Sequence, residues 1–166
     1  AIRGGQYRDV AAWIESLDKL LSLDAEVLLP GHTAAIWGKA QIKREIGAYR
    51  DGLEYILLET LKGIDQGLTP DELVDSIKLP EHLRELPQLE ELYGMVEWSI
   101  RGIYSGYVGW FDGNPTHLGT MPCAQKAEKM LSMMGGAEAV LAEIKRALAQ
   151  EEMQWALELC DILLGA

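Results

Sequence analysis

The sequence predicts a mainly α-helical protein that begins with a short α/β stretch. Residues 1–37 carry the pattern of one helix followed by one short strand. From Gly38 onward, apolar residues recur at helical spacing and no segment has a strand pattern. The chain has 166 residues, of which 48% are hydrophobic, so it can bury a core. We therefore expect two regions, residues 1–37 and residues 38–166, with the second built from helices.

The first region predicts a helix that leads into a strand. Asp9 is placed to cap the helix, whose apolar stripe is formed by Val10, Trp13, Ile14, Leu17, Leu20 and Leu21. The apolar run Val27–Leu29 ends at Pro30-Gly31 and has the length of a buried strand. His32 follows at the carboxyl end of that strand, where ligands collect in α/β layers.

The second region opens with a long apolar stripe over residues 42–64, which ends at Gly67. The next helix has the strongest local signal in the chain, because Thr69 can cap it, Pro70 suits its first position and Glu72 closes a capping box. The positions that form a hydrophobic staple across this start are both apolar: Leu68 and Leu73.

Four further helices are predicted in the second half of the chain. An apolar stripe over residues 89–107 predicts a long helix, and a helix that starts at Pro122 ends at Gly135-Gly136. Residues 140–148 and 153–164 predict an antiparallel pair. Because the turn between these two helices contains neither Gly nor Pro, one long helix is the alternative.

Charge and composition exclude several classes of partner. The formal net charge of −11 argues against binding to nucleic acid or to an anionic membrane surface, since both repel acidic proteins. No apolar run approaches the roughly 20 residues of a membrane span. Cys123 and Cys160 form no CxxC pair, and we expect buried thiols rather than a disulfide or a metal site. The chain lacks an initiator Met and a signal-peptide pattern, which predicts a piece of something longer.

The histidines do not form a metal-binding motif on their own. A hydrolytic zinc centre needs three or four converging imidazole or carboxylate ligands and an open position for water. His32, His82 and His117 show neither His-x-His nor His-Glu-x-x-His spacing. His82 and His117 lie in polar links, and we expect them to face solvent. Taken by itself, His32 fits a structural or exposed residue better than a ligand.

The most unusual segment of the chain is Gly109–Pro115, which reads Gly-Trp-Phe-Asp-Gly-Asn-Pro. Asp112-Gly113 predicts a turn, and Asn114-Pro115 sets the direction in which the chain leaves it. Large aromatic rings are expected to be packing residues throughout the chain: Trp98, Trp110, Phe111 and Trp155.

An ordered series of motifs resembles one family, the alkylsulfatases built on a metallo-β-lactamase fold. The series consists of Pro30-Gly31-His32, Tyr49-Arg50-Asp51, residues 67–73, Lys78-Leu79-Pro80, Tyr93-Gly94, residues 97–101 and Gly109–Pro115. The resemblance covers nearly the whole chain and is weakest after Gly119. It implies that residues 1–37 are the C-terminal remnant of a metallo-β-lactamase-type catalytic domain. Residues 38–166 would be an all-helical, bundle-like alkyl sulfatase dimerisation domain.

The resemblance also implies a function. The parent protein would be a zinc-dependent hydrolase of alkyl sulfate esters and a homodimer. Trp110 and Phe111 follow a helix whose apolar stripe points inward, so we expect both rings to fill the core or the dimer seam. The histidine of the Pro-Gly-His turn is the last ligand of a two-zinc centre in this family, which makes His32 the predicted metal ligand. Family members also need an upstream His-x-His-x-Asp-His cluster, which this chain does not match. We therefore expect the fragment alone to be inactive and to contain no catalytic residue.

Two residues of the helix before the Gly-Trp-Phe-Asp-Gly-Asn-Pro segment are candidates for binding the substrate. The guanidinium of Arg101 and the phenol of Tyr107 suit the acceptor oxygens of a sulfate ester. The alternative is that Arg101 pairs with an acidic side chain and that the tyrosine packs in a core. Some family members carry a proton-donating histidine near Trp98, where this chain reads Glu97-Trp98-Ser99, which leaves the leaving group and the stereochemical course open.

A function of a different class is also compatible with the sequence. The chain could be a non-catalytic helical interaction module from a relative that has lost sulfatase activity. The two functions differ in what precedes the chain, since a His-x-His-x-Asp-His motif upstream supports the enzyme and its absence supports the module.

Overall fold

The computed structural model describes residues 7–165, and its elements confirm a mainly α-helical fold with a small sheet. The helices are α1 (Val10–Ser22), α2 (Lys39–Asp65), α3 (Pro70–Ser76), α4 (Glu81–Arg84), α5 (Val96–Tyr107), α6 (Cys123–Met133), α7 (Ala137–Ala149) and α8 (Met153–Gly165). The strands are β1 (Val27–Leu28) and β2 (Ile36–Trp37), and two 3₁₀ turns cover Pro87–Leu89 and Pro115–His117. None of the helices described is both long and apolar enough to cross a membrane.

The chain divides into two compact units, one that ends at Asn114 and one that begins at Pro115. We call them the N-terminal unit and the C-terminal unit. Helix α1 and both strands contact α2, so residues 7–37 do not form a separate compact body. The predicted boundary after Trp37 concerns family domains rather than compactness and stays a prediction. Residues 1–6 and 166 lie outside the described residues.

The core of the N-terminal unit lies where α1, α2, α3 and α5 meet. Its buried members are Val10, Ile14, Ile56, Leu57, Leu73, Ile77, Leu79, Ile100 and Ile103. The predicted cap of α1 is confirmed, since Asp9 Oδ1 accepts a hydrogen bond from the Ala12 N–H at 3.1 Å. Arg50 Nε lies 2.9 Å from Asp18 Oδ1, and this ion pair joins α2 to α1.

The junction between α2 and α3 confirms the predicted stop and start signals. Gly67 has φ +78°, and its N–H donates to the Ile64 carbonyl at 2.9 Å. The Leu68 N–H donates to the Gly63 carbonyl at 3.0 Å, which completes the two-bond pattern of a Schellman motif. The next residue, Thr69, begins α3 with a capping box: its N–H donates to Glu72 Oε2 at 2.8 Å, and its hydroxyl accepts from the Glu72 N–H at 3.3 Å.

The capping box predicts a measurable loss on mutation. We expect Thr69→Ala to lower the free energy of unfolding by about 1 kcal/mol, because the Glu72 N–H loses its acceptor at the helix start. Thr69→Ser keeps the hydroxyl and should stay close to wild type. Thermal denaturation of both variants measures the difference, and an unchanged melting temperature for the alanine variant would show that water replaces the cap at no cost.

The predicted strand forms, but the expectation that it is buried is wrong. β1 pairs with β2 in antiparallel register, with Val27 opposite Trp37 and Leu28 opposite Ile36. Val27 and Trp37 are exposed, and Leu29 is 77% exposed. Strand β2 has no counterpart in the sequence prediction, because two residues are too few to show an alternating pattern.

Helix α5 is shorter than the apolar stripe predicts. It begins at Val96, whereas Pro87–Leu89 form a 3₁₀ turn and Leu92 is 81% exposed. The start at Val96 is set locally, because its N–H donates to the Glu91 carboxylate at 2.6 Å and so finds an acceptor from outside the helix. Leu92 therefore belongs to a loop rather than to the helical stripe.

The C-terminal unit consists of α6, α7 and α8, with α8 packed against both of the others. Its core is formed by Val140, Ile144, Ala147, Ala156 and Leu159. The prediction of two helices, rather than one, is confirmed. They separate at Glu151, which has φ +61°, and the Glu152 N–H turns back to the Ala147 carbonyl at 2.9 Å.

One polar cluster ties α7 to α8 at this turn. The Glu143 carboxylate is bonded to Arg146 and accepts from Trp155 Nε1 at 3.2 Å. The Arg146 guanidinium, and after it the Trp155 N–H, lower the pKa of Glu143 to about 2. The side chain of Trp155 is partly exposed. It therefore joins the two helices through the hydrogen bond of its indole N–H as well as through packing.

The cysteines are free thiols as predicted, but Cys123 is exposed rather than buried and Cys160 is half-buried.

Candidate functional site

The predicted metal ligand His32 lies in the exposed loop between β1 and β2. This loop begins after Leu28 and passes through Pro30-Gly31 before it reaches the histidine. His82 and His117 are exposed as well, as the sequence predicts. Within residues 7–165, no group of three or more His, Cys, Asp or Glu side chains is placed to hold a metal ion. His32 is thus available as one ligand, but it belongs to no group of three or more potential ligands among the described residues.

A large apolar groove of about 840 Å³ lies directly beside this loop, within the N-terminal unit. Three segments form its walls: Thr33–Trp37 from the loop and β2, the inner faces of α1 and α2, and residues 87–96 before and at the start of α5. The aromatic residues that line it are Trp13, Trp37, Tyr49 and Tyr93. Its volume lies in the range of known small-molecule sites.

The ionisable lining of the groove is acidic, apart from its tyrosines. Glu45, Glu90 and Glu91 contribute carboxylates, and no Lys, Arg or His is among the described residues that line it. Arg44 lines a smaller adjoining depression, where its guanidinium is bonded to the Gln41 side chain. The Glu45 carboxylate likewise accepts from the Gln41 amide. An aliphatic chain therefore meets favourable surface in the groove, whereas the charged side chains that an anionic group meets there are carboxylates.

No local pattern in the sequence predicts the groove itself, although two of its walls fall in recognisable motifs. Thr33 follows the Pro-Gly-His turn directly, and Tyr93-Gly94 belongs to the same ordered series. Thr33 and Tyr93 are sixty positions apart in the sequence. They line one cavity because α2 packs against both of the segments that carry them. The signal in the sequence that could have linked the two walls is that both motifs belong to the same ordered series.

The two candidate substrate-binding residues lie outside the groove. Arg101 Nη1 lies 2.8 Å from Asp71 Oδ1, and its Nε lies 3.0 Å from Glu97 Oε1. The guanidinium therefore joins α5 to α3, which is the structural alternative that the sequence left open. Tyr107 is 51% exposed, and its ring meets Tyr7 edge-on with centroids 6.3 Å apart. A substrate role for Arg101 and Tyr107 stays a prediction.

The Gly109–Pro115 segment has the turn chemistry that the sequence predicts. Asp112 Oδ1 accepts from the Asn114 N–H at 3.0 Å, and Gly113 has φ +87°. The expectation of a core position is wrong for Trp110, whose side chain is 70% exposed. Its ring meets that of Phe111 edge-on, with the ring centroids 6.0 Å apart. With Tyr107 and Val108 also exposed, the end of α5 presents an apolar surface rather than a buried anchor.

Family membership follows from the match over the second part of the chain. Residues 69–166, more than half of the sequence, match the family described as alkyl sulfatase dimerisation. The chain belongs to this alkyl sulfatase dimerisation family. The N-terminal unit thus contains the start of the matched region together with the loop that carries His32, and the C-terminal unit is matched over its whole described length.

Known relatives of this dimerisation-family chain are alkylsulfatases. A linear primary-alkylsulfatase from a Pseudomonas strain is 42% identical over 159 residues, covering 95% of this chain and 30% of the relative. An (R)-specific secondary-alkylsulfatase from Pseudomonas is 30% identical and covers 99% of this chain and 25% of the relative. The solved structure of the stereoselective inverting sec-alkylsulfatase Pisa1 from Pseudomonas has a TM-score of 0.87 and 30% identity, covering 98% of this chain and 26% of that chain. The chain spans less than a third of the length of these relatives.

Proposed function

We propose that this chain is part of a zinc-dependent hydrolase of alkyl sulfate esters. In that enzyme it supplies the metal ligand His32, one wall of the substrate site and the dimer contact. The observation that carries the proposal is the position of the His32 loop, whose next residues, Thr33–Trp37, line the apolar groove. A metal ligand and a surface for an aliphatic chain are thereby adjacent in the sequence and in space.

The chemistry of His32 fits one position of a zinc site. An exposed imidazole at a loop is a ligand that zinc accepts, and no nearby residue of the described chain competes for it. The other donors would come from the part of the relatives that this chain does not match. Bound zinc would supply a water molecule activated at neutral pH. The role of the present residues is to hold the metal through His32 and to bind the organic part of the ester beside it.

Hydrolysis of a series of alkyl sulfates by the full-length protein tests this proposal. If the groove holds the aliphatic chain, kcat/KM should rise by about fourfold for each added methylene until the groove is filled, because burial of one methylene contributes about 0.8 kcal/mol. The alternative of a non-catalytic module predicts no turnover with any member of the series. Turnover that does not depend on chain length would support the hydrolase activity but would show that the groove does not bind the aliphatic chain of the substrate.

Dimerisation is the second part of the proposed function, and the exposed end of α5 fits it. Tyr107, Val108 and Trp110 form an apolar surface on an otherwise acidic protein, and such surfaces favour a self-complementary contact between two copies. We therefore place Trp110 in the dimer seam. Its exposure in a single chain is the reason that we expect no large role in the stability of the monomer.

This placement predicts that Trp110→Ala weakens association more than folding. We expect the dimer dissociation constant to rise by about thirtyfold, since truncating a Trp that is an interface hot spot costs about 2 kcal/mol. The melting temperature at low protein concentration should change little, because the ring is 70% exposed. Sedimentation measures the first quantity and calorimetry the second. A variant that dimerises normally would show that the seam lies elsewhere.

A further inference from the structure

The groove combines an apolar lining with three carboxylates. An aliphatic chain bound in the groove would therefore lie close to both. We propose that Glu45, Glu90 and Glu91 are specificity-determining residues that admit the uncharged chain of a monoanionic alkyl sulfate and reject a chain with a second anionic group. This inference rests on the proposed function, because it assumes that the groove holds the aliphatic part of the ester.

The lining gives the chain a favourable environment. Trp13, Tyr49, Leu53 and Ile56 contribute ring and aliphatic surface from α1 and α2, and Leu89 packs closely over Gly52. A volume of about 840 Å³ exceeds what a single extended alkyl chain needs. Each methylene that leaves water for this surface contributes about 0.8 kcal/mol. The groove can therefore bind a chain through its apolar lining alone, without a charged anchor.

The carboxylates set the sign of the electrostatic potential along this surface. Glu91 accepts from the Val96 N–H, and Glu45 is bonded to the uncharged amide of Gln41, so no cation of the groove lining neutralises either group. Glu90 is exposed and adds a third negative charge. The nearest cation in the adjoining depression, Arg44, is itself bonded to Gln41. A sulfate or carboxylate inside the groove would be repelled by all three glutamates.

Two consequences follow for the substrate. The sulfate group of a bound ester lies outside the groove, where the metal site would hold it, and only the neutral chain enters. A second anionic group at the far end of the chain, as in an ω-carboxyalkyl sulfate, would have to enter the acidic groove and lose its hydration there. The class of substrate is thus narrower than alkyl sulfates in general: it comprises esters that carry a single negative charge.

Calorimetric binding of three ligands to the full-length protein, freed of zinc by chelation so that no ester is hydrolysed during the titration, tests the inference: decyl sulfate, ω-hydroxydecyl sulfate and ω-carboxydecyl sulfate, all below their micelle concentrations. The hydroxyl compound measures the effect of a polar but uncharged end. We expect the carboxyl compound to bind about tenfold more weakly than the hydroxyl compound at low salt, as repulsion by several carboxylates at a partly solvated site would produce. The ratio should shrink at high salt because the repulsion is screened.

The variants Glu45→Gln, Glu90→Gln and Glu91→Gln, combined in one protein, remove the charges and keep the shape and the acceptor for the Val96 N–H. The ratio should then fall to about twofold. A matched control replaces three exposed carboxylates outside the groove, Glu15→Gln, Glu128→Gln and Asp161→Asn, and should keep the ratio of the wild type. If the triple glutamine variant does not fold, the salt dependence of the wild type still decides the question.

The outcomes separate this inference from the proposed function. Equal binding of the hydroxyl and carboxyl compounds, or a ratio that the glutamine variant leaves unchanged, would overturn the inference while decyl sulfate binding and turnover stand. Absence of any decyl sulfate binding would overturn both. If the protein binds the carboxyl compound more weakly than the hydroxyl compound but shows no turnover, the role of the three glutamates would stand and the proposed hydrolase activity would be overturned.

Discussion

Replacing Gly63 with alanine should destabilise the N-terminal unit by about 1–3 kcal/mol, the cost of forcing extra volume into a packed core. Gly63 is buried in the last turns of α2, and a Cβ atom built there would lie 2.2 Å from Leu73 Cδ2 and 3.3 Å from Leu68 Cδ1. Leu73 is 1% exposed, so its side chain cannot move aside into solvent and would have to displace its neighbours in the core. The two leucines that form the hydrophobic staple therefore need a glycine beneath them.

A matched control lies on the same helix. A Cβ atom at Gly47 would meet nothing within 4 Å, so Gly47→Ala should stabilise α2 by up to about 1 kcal/mol through helix propensity alone. Thermal and urea denaturation of the two variants give opposite signs if the argument holds. A Gly63→Ala protein as stable as the wild type would mean that Leu73 repacks without cost. If Gly63→Ala loses stability as expected, adding Leu73→Val should restore part of the loss, since a Cβ atom at position 63 would meet the Leu73 side chain.

The sequence predicted best those elements whose signals are local. The cap at Asp9, the stop at Gly67 and the capping box at Thr69 each depend on residues within five positions of one another, and all three form as expected. The turn at Asp112-Gly113 is of the same kind. Such features are fixed by backbone hydrogen-bonding groups that have few alternative partners, so sequence spacing is enough to predict them.

One error is local, and the others arise where tertiary contacts decide. The apolar stripe before Val96 predicted helix, yet α5 begins only at Val96, whose N–H donates to the neighbouring Glu91 carboxylate. Trp110 is exposed although its ring suggests a core residue. Arg101 pairs with Asp71, which lies thirty positions earlier in the chain, and no local pattern shows this contact. Hydrophobicity indicates that a side chain prefers burial, but not which surface will cover it.

The candidate site was predictable only in part, for the same reason. The position of His32 after a short strand follows from local sequence, and the resemblance to alkylsulfatases gives it a role. The groove beside it is built from Thr33–Trp37, from α2 and from residues 87–96, which meet only after folding. Its three carboxylates come from two of these segments, so their common effect on a ligand cannot be read from the order of residues.

His32→Ala should abolish the activity of the full-length protein, with kcat/KM lower by at least about a hundredfold. Loss of outer-shell partners alone commonly costs 10–100-fold in metal sites, and the proposed function makes His32 a direct ligand. Zinc content should fall in parallel. The fold should persist, because the side chain lies exposed in a loop and contributes nothing to either core.

His82→Ala and His117→Ala are the controls, since both histidines are exposed and neither lines the groove. Each should keep the turnover and zinc content of the wild type. Metal analysis, steady-state kinetics and thermal denaturation on the same preparations separate loss of a ligand from loss of structure. A His32→Ala protein that retains zinc and hydrolyses alkyl sulfates normally would contradict the assignment. The apolar groove would then stand beside a loop with no role in metal binding, and the ligand set would have to be sought entirely in the part of the relatives that this chain does not match.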